Sequence, residues 1–231
     1  MPAIDRNATV AEIVTAHAVT ARVFQKHRID FCCHGNVSVA EACRPRALDP
    51  DAVFAELDAA LPQADGDEDP RALSTFALVA RIVDRHHAYL RRTLPFLEPL
   101  AHKVASVHGD HNPRLFGVRD AYLELAAALE PHLDHEEAVL FPALLSPAPD
   151  REILRKELEG MMSDHLQVGA LLERIRALSE GFTVPEWGCR SYRVLMSELE
   201  TLETDVLRHV HLENHVLMPR FAGRATAEAR G

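Results

Sequence analysis

The stretch His132-Leu-Asp-His-Glu136-Glu-Ala-Val-Leu140-Phe-Pro142 returns as His209-Val-His-Leu-Glu213-Asn-His-Val-Leu217-Met-Pro219, 77 residues further along. Both copies read His-x-x-x-Glu-x-x-x-Leu-x-Pro. Residues four apart share one helix face, one turn from each other, so each copy aims an imidazole and a carboxylate at one point. Inward-facing imidazoles and carboxylates are how helical bundles hold two metal ions.

The repeat extends upstream. His87 precedes His132 by 45 residues and His165 precedes His209 by 44. On antiparallel neighbours the heights match. From His87 down to a loop near Ser106 is roughly 28 Å, and from Gly117 back up to His132 is roughly 22 Å, at the α-helical rise. The second half repeats this around a turn near Gly181–Gly188. The chain thus reads as two helical hairpins, each supplying one His and one His-x-x-x-Glu. Any one of the 14 histidines taken singly is more readily a surface or satisfied core residue. The matched register of six is what points to a dinuclear metal site.

Two His per cation with Glu136 and Glu213 as bridges is the reading for His87, His132, His165 and His209. Nitrogen-rich mixed ligation suits iron or manganese and does not exclude zinc. Six residues cannot fill two octahedra, so an oxo or hydroxo bridge and exchangeable positions complete them. The decoys are His86, about 100° round the helix from His87, His211, and His135 and His215, which could enter the ligand shell or act as outer donors. Glu137 is read as facing elsewhere. His102, His108 and His111 are read as exposed around the first hairpin loop. Leu133, Leu140, Leu144, Leu171, Leu195, Leu199, Leu202 and Leu217 read as bundle core.

The flanking sequence sets the domains. Residues 1–61 read as a small helical unit, with capping boxes at Thr9-Val-Ala-Glu12 and Ser38-Val-Ala-Glu41 and an Asp49-Pro50 helix start. One helix is expected from Val10 to about His27, followed by a turn over 29–36 in which Gly35 and Asn36 take positive φ. Residues 62–72 form an acidic Pro/Gly linker. Four long helices follow, over about 73–105, 118–144, 151–178 and 189–221, with a frayed tail at 222–231. Pro95, Pro99 and Pro131 are expected to kink their helices. Strand signals are absent. The fold class is therefore all-α, a four-helix bundle behind a small helical domain.

Composition narrows the function. With 25 Lys+Arg against 35 Asp+Glu, the net charge of −10 argues against a nucleic-acid partner. No apolar run is long enough to cross a bilayer, and the N-terminus lacks a signal-peptide core, so the expected compartment is the cytoplasm. The four Cys do not form a secreted disulfide pattern. Adjacent Cys32 and Cys33 admit three readings: two small buried hydrophobes, a thiol pair for redox or metal-cluster chemistry, or a zinc site with His34 and Cys43. Cys189 reads as structural.

With both halves in view, the chain resembles the iron–sulfur cluster repair di-iron family, the repair-of-iron-centres proteins. Ala21-Arg-Val-Phe24 and Ile29-Asp-Phe-Cys-Cys33 look like that family's di-cysteine domain. The six His and Glu residues fall at the ligand positions of its hemerythrin-like bundle. His34 and Pro131 are local departures. The resemblance implies a non-haem di-iron protein that restores iron–sulfur clusters damaged by nitric oxide or peroxide, by iron delivery or redox chemistry. Cys32 and Cys33 would assist transfer or contact a client. It implies iron–sulfur client proteins and nitric oxide or oxygen as small ligands, and it admits a homodimer. The alternatives are a gas-binding sensor or scavenger and a nitric oxide reductase.

Overall fold

The computed structural model describes residues 4–63 and 68–221. The middle of the acidic linker, including Asp65 and Gly66, and the tail from 222 onward lie outside the described residues. All described secondary structure is helical apart from one isolated bridge between Thr9 and Ser38. The fold is a helical bundle preceded by a small helical domain.

Residues cluster into two units. One comprises the described residues up to Val79 together with those from Leu207, and the other is Ala80–Val206. In the first unit, α1 (Val10–Ala16) and α3 (Val39–Cys43) both start at capping boxes. Thr9 pairs reciprocally with Glu12, and Ser38 with Glu41. These boxes satisfy amide groups that no helical turn can reach. The bridge joins the two caps, with Val10 N–H donating to Val37 C=O and Ala11 N–H to Gly35 C=O. The single helix expected over 10–27 is broken at His17 (φ −141°), and α2 (Ala21–Lys26) starts afresh after a 3-10 turn. The Thr20 hydroxyl donates to the His17 carbonyl, a local bond that competes with helix continuation. Asp49 caps α4 (Pro50–Ala60) as its Asp-Pro start requires.

The cysteine turn differs from expectation in one respect. Arg28, not Gly35 or Asn36, takes positive φ (57°), and Ile29 N–H reaches back to Phe24 C=O to close α2. Gly35 is needed for another reason: a Cβ there would stand 2.6 Å from the Phe31 carbonyl oxygen and 2.8 Å from Ala11 Cβ.

The first two bundle helices reach a few residues further into their connecting loop than the sequence pattern suggested, to His108 on one side and Arg114 on the other. A rod built of α5 (Thr75–Arg81), a wide π-turn segment (Ile82–His87) and α6 (Ala88–His108) continues through Pro95 and Pro99. Helix α7 (Arg114–His135) continues through Pro131 into a second π segment, Glu136–Leu140, and then α8 (Phe141–Leu145). Helix α9 spans Arg151–Leu178 from an Asp150 cap. Helix α10 (Arg190–Leu212) passes into a third π segment, Glu213–Leu217. The eight leucines named as core are all buried. At the far end, Arg176 forks onto the buried Glu203, tying α9 to α10. No described helix is long and apolar enough to cross a membrane.

Candidate metal centre

The three π segments share one property: each contains a candidate donor. His87 ends the first, Glu136 opens the second and Glu213 opens the third. In the latter two, the wide bond runs from Phe141 N–H to Glu136 C=O and from Met218 N–H to Glu213 C=O at 2.8 Å. Pro142 and Pro219 follow immediately. A helical proline clashes with the carbonyl four residues back, and a wide turn placed just before it relieves the clash. The Leu-x-Pro of the repeat is thus the sequence signal for these turns.

All six candidate donors are buried, each less than a tenth exposed. Glu136 sends one oxygen to each of two imidazoles, Oε2 standing 3.3 Å from His87 Nε2 and Oε1 3.3 Å from His132 Nε2. The His132 and His165 rings meet edge-on at 5.2 Å. On α10, His209 Nε2 lies 3.0 Å from Glu213 Oε1. The donor atoms form two groups, each within 4.8 Å: His87, Glu136, His209 and Glu213, and His132, Glu136, His165 and Glu213. Both carboxylates are common to both groups, and the four imidazoles divide two and two.

This donor set fits a pair of cations. Two buried carboxylates that share a site need positive charge to offset the cost of taking them out of water. Imidazole and carboxylate are the donors that intermediate divalent metals prefer.

The outer partners were only partly legible in the sequence. Glu137, read as turned away, places Oε1 2.9 Å from His87 Nδ1 and also accepts from Arg91. Burial raises the Glu137 pKa, but the His87 ring and the Arg91 guanidinium outweigh it and hold the carboxyl below its usual range. Asp164 Oδ2 lies 3.3 Å from His132 Nδ1. A carboxylate on the outer nitrogen fixes the ring's orientation and leaves Nε2 facing the centre. Helical spacing could have flagged Asp164 beside His165, but the partner it serves sits on another helix.

The decoy histidines separate cleanly. His86 is buried and pairs with Asp205 at 2.9 Å, and His135 is exposed beside Glu157. His211 lies 2.9 Å from the Thr15 hydroxyl and 3.0 Å from the Phe31 carbonyl oxygen. Burial pushes its pKa down to about 4, so it is neutral at pH 7. His102 and His108 lie on α6 rather than in a loop, and only His111 lies beyond it.

Cys32 and Cys33 sit on the Asp30 turn. Asp30 Oδ1 accepts both cysteine amides at 2.9 Å and the Cys32 thiol at 3.3 Å, and Oδ2 lies 2.7 Å from His34 Nδ1. Burial raises the Asp30 pKa, but these donors, the Cys33 amide foremost, outweigh it and keep the carboxyl ionised. The two sulfurs are 3.6 Å apart and unbonded. Asn214 donates to the Cys32 carbonyl at 2.9 Å, fixing the turn against the last π segment. Cys43 is buried and is not grouped with the pair, and His34 faces Asp30.

Cys189 is exposed, not packed away. Its sulfur lies 3.0 Å from His108 Nε2. The His108 contact, then the Tyr192 amide at the start of α10, lower its pKa to about 7.

Bundle, donor set and capped N-terminal unit together define a hemerythrin-like metal-binding protein with an appended cysteine domain. Residues 78–221 match the hemerythrin HHE cation binding domain, and residues 6–61 match ScdA_N, a domain of unknown function (DUF542). The chain is 34% identical to the iron-sulfur cluster repair protein ScdA of Staphylococcus haemolyticus, covering 95% of this chain and all of that one. It is 30% identical to the iron-sulfur cluster repair protein YtfE of Yersinia pseudotuberculosis, covering 93% and 96%. The ScdA of Staphylococcus epidermidis is likewise 30% identical, covering 95% and 100%. The chain belongs to this iron–sulfur cluster repair family.

Proposed function

We propose that this chain is a non-haem di-iron protein that repairs iron–sulfur clusters damaged by nitrosative or oxidative stress. The observation that carries the reading is the sharing of Glu136 and Glu213 by two His pairs. His87 and His209 would hold one cation and His132 and His165 the other, with Glu136 and Glu213 available to both. Iron held there would supply redox chemistry and releasable metal. The chain's own residues do the holding: Glu137 and Asp164 orient His87 and His132, and the burial of all six donors keeps them from bulk water.

The clients are proteins with damaged clusters, the small ligands are nitric oxide and oxygen, and the compartment is the cytoplasm. The relatives' names support the repair role. The domain limits proposed are 1–61, 62–72 and 73–221, with a tail from 222, and family matches over 6–61 and 78–221 support that division.

The test is metal content on anaerobically purified protein, followed by rescue of a cluster enzyme inactivated with nitric oxide. Two irons per chain and recovered activity are expected. An intact di-iron centre with no recovery would overturn repair in favour of gas handling. Nitric oxide turned over to nitrous oxide would make the chain a reductase, and light scattering decides between monomer and homodimer.

A further inference from the structure

We propose that Asp30, Cys32 and Cys33 form a second metal site, distinct from the bundle donors, that takes one thiophilic divalent cation such as Fe(II) or Zn(II). The ligand atoms of the three residues all lie within 4.8 Å of one another. Two thiolates on one tetrahedral cation, with metal–sulfur bonds of about 2.3 Å, stand about 3.8 Å apart. Here the sulfurs are 3.6 Å apart before any bond is made. A thiolate and a carboxylate oxygen on one such cation stand about 3.6 Å apart, and Cys32 Sγ is 3.3 Å from Asp30 Oδ1. The donors are therefore preset to within a few tenths of an ångström.

The turn is held in this shape by its own polar contacts. Asp30 gathers both cysteine amides, and Asn214 fixes the Cys32 carbonyl. Gly35 lets α1 close in behind, where a side chain would not fit. Binding exchanges protons for the cation: each thiol loses one proton to solvent, two sulfur–metal bonds form, and Asp30 Oδ1 gives up the Cys32 hydrogen bond to become the third donor. No electron is transferred.

Three protein donors leave a fourth tetrahedral position open. Structural zinc sites are closed by four ligands, whereas sites that exchange their ligands keep one position free. Cys33 and Asp30 are partly exposed, so solvent reaches two of the three donors. This is the arrangement expected of a site that passes a metal on. Its use in cluster repair rests on the function proposed above, but its cation binding does not.

The experiment is a Co(II) titration of the reduced, iron-loaded full chain, read by the sulfur-to-cobalt charge-transfer band. The imidazole and carboxylate donors of the bundle cannot produce that band. One equivalent is expected, with the band lost in Cys32→Ser and Cys33→Ser and the affinity about tenfold weaker in Asp30→Asn. In the wild-type chain, which avoids any folding defect of the variants, Zn(II) should slow iodoacetamide labelling of Cys32 and Cys33 and leave Cys189 unaffected. No band on fully reduced protein, equal labelling with and without Zn(II), or unchanged affinity in Asp30→Asn would overturn the site. None of these results would alter the iron count of the bundle, so failure here and failure of the di-iron reading are distinguishable.

Discussion

The bundle donors and the cysteine turn solve the problem of placing metal-binding side chains in opposite ways. In the bundle, six donors are buried, come from α-helical rods and their π segments, and are steadied from outside by Glu137 and Asp164. In the turn, three donors lie within four residues of one another, steadied mainly by their own backbone amides, with Cys32 buried and Asp30 and Cys33 partly open to solvent. Burial with six donors suits a resident cation. Exposure with three donors suits one in transit.

The comparison can be broken most forcefully in the bundle. Glu213→Ala or His132→Ala should lose metal and destabilise the fold by about 3–5 kcal/mol, because the remaining buried polar groups lose a partner. Elemental analysis and thermal unfolding check this, and a variant with two irons would contradict the assignment. Glu137→Ala should be milder, weakening metal affinity about 10–100-fold through loss of the His87 anchor. Competition with a chelator measures it, with partial restoration in Glu137→Gln.

The cysteines sharpen the contrast at smaller scale. Cys189, whose pKa is lowered to about 7, is mostly thiol and slow below that pH and mostly thiolate and fast above it. Its alkylation rate plotted against pH should therefore have a midpoint near 7, and His108→Ala should move that midpoint upward. A midpoint unmoved by the substitution would mean that the helix start alone sets it. The least effect is expected at the caps of the cysteine domain: Thr9→Ala or Ser38→Ala should cost about 1 kcal/mol in denaturant unfolding, with bundle metal unchanged.

Much of the site was legible because helical periodicity is strict. His132 with Glu136 and His209 with Glu213 had to share faces, and the matched distances to His87 and His165 had to bring hairpins into register. The missed features share a cause. Glu137 is adjacent to Glu136, so simple helical phase turned it outward, yet its carboxylate reaches His87 from within a π segment. His211, a decoy in the sequence, joins Thr15 and Phe31 across about 180 residues or more of chain, which no local spacing shows. Asp30 was not read as a donor, since only its turn folds the carboxylate back onto the thiols.

By itself the sequence determined the helical class, the capped starts at Thr9, Ser38, Asp49 and Asp150, the leucine core and which six side chains are candidate donors in the bundle. Each follows from local spacing, which a helix converts directly into direction. Only the tertiary structure decided which carboxylate steadies which imidazole, where the helices widen, that Cys189 meets His108, and that Asp30 stands with Cys32 and Cys33. These depend on contacts between distant segments and on turn geometry, for which no fixed period along the chain exists.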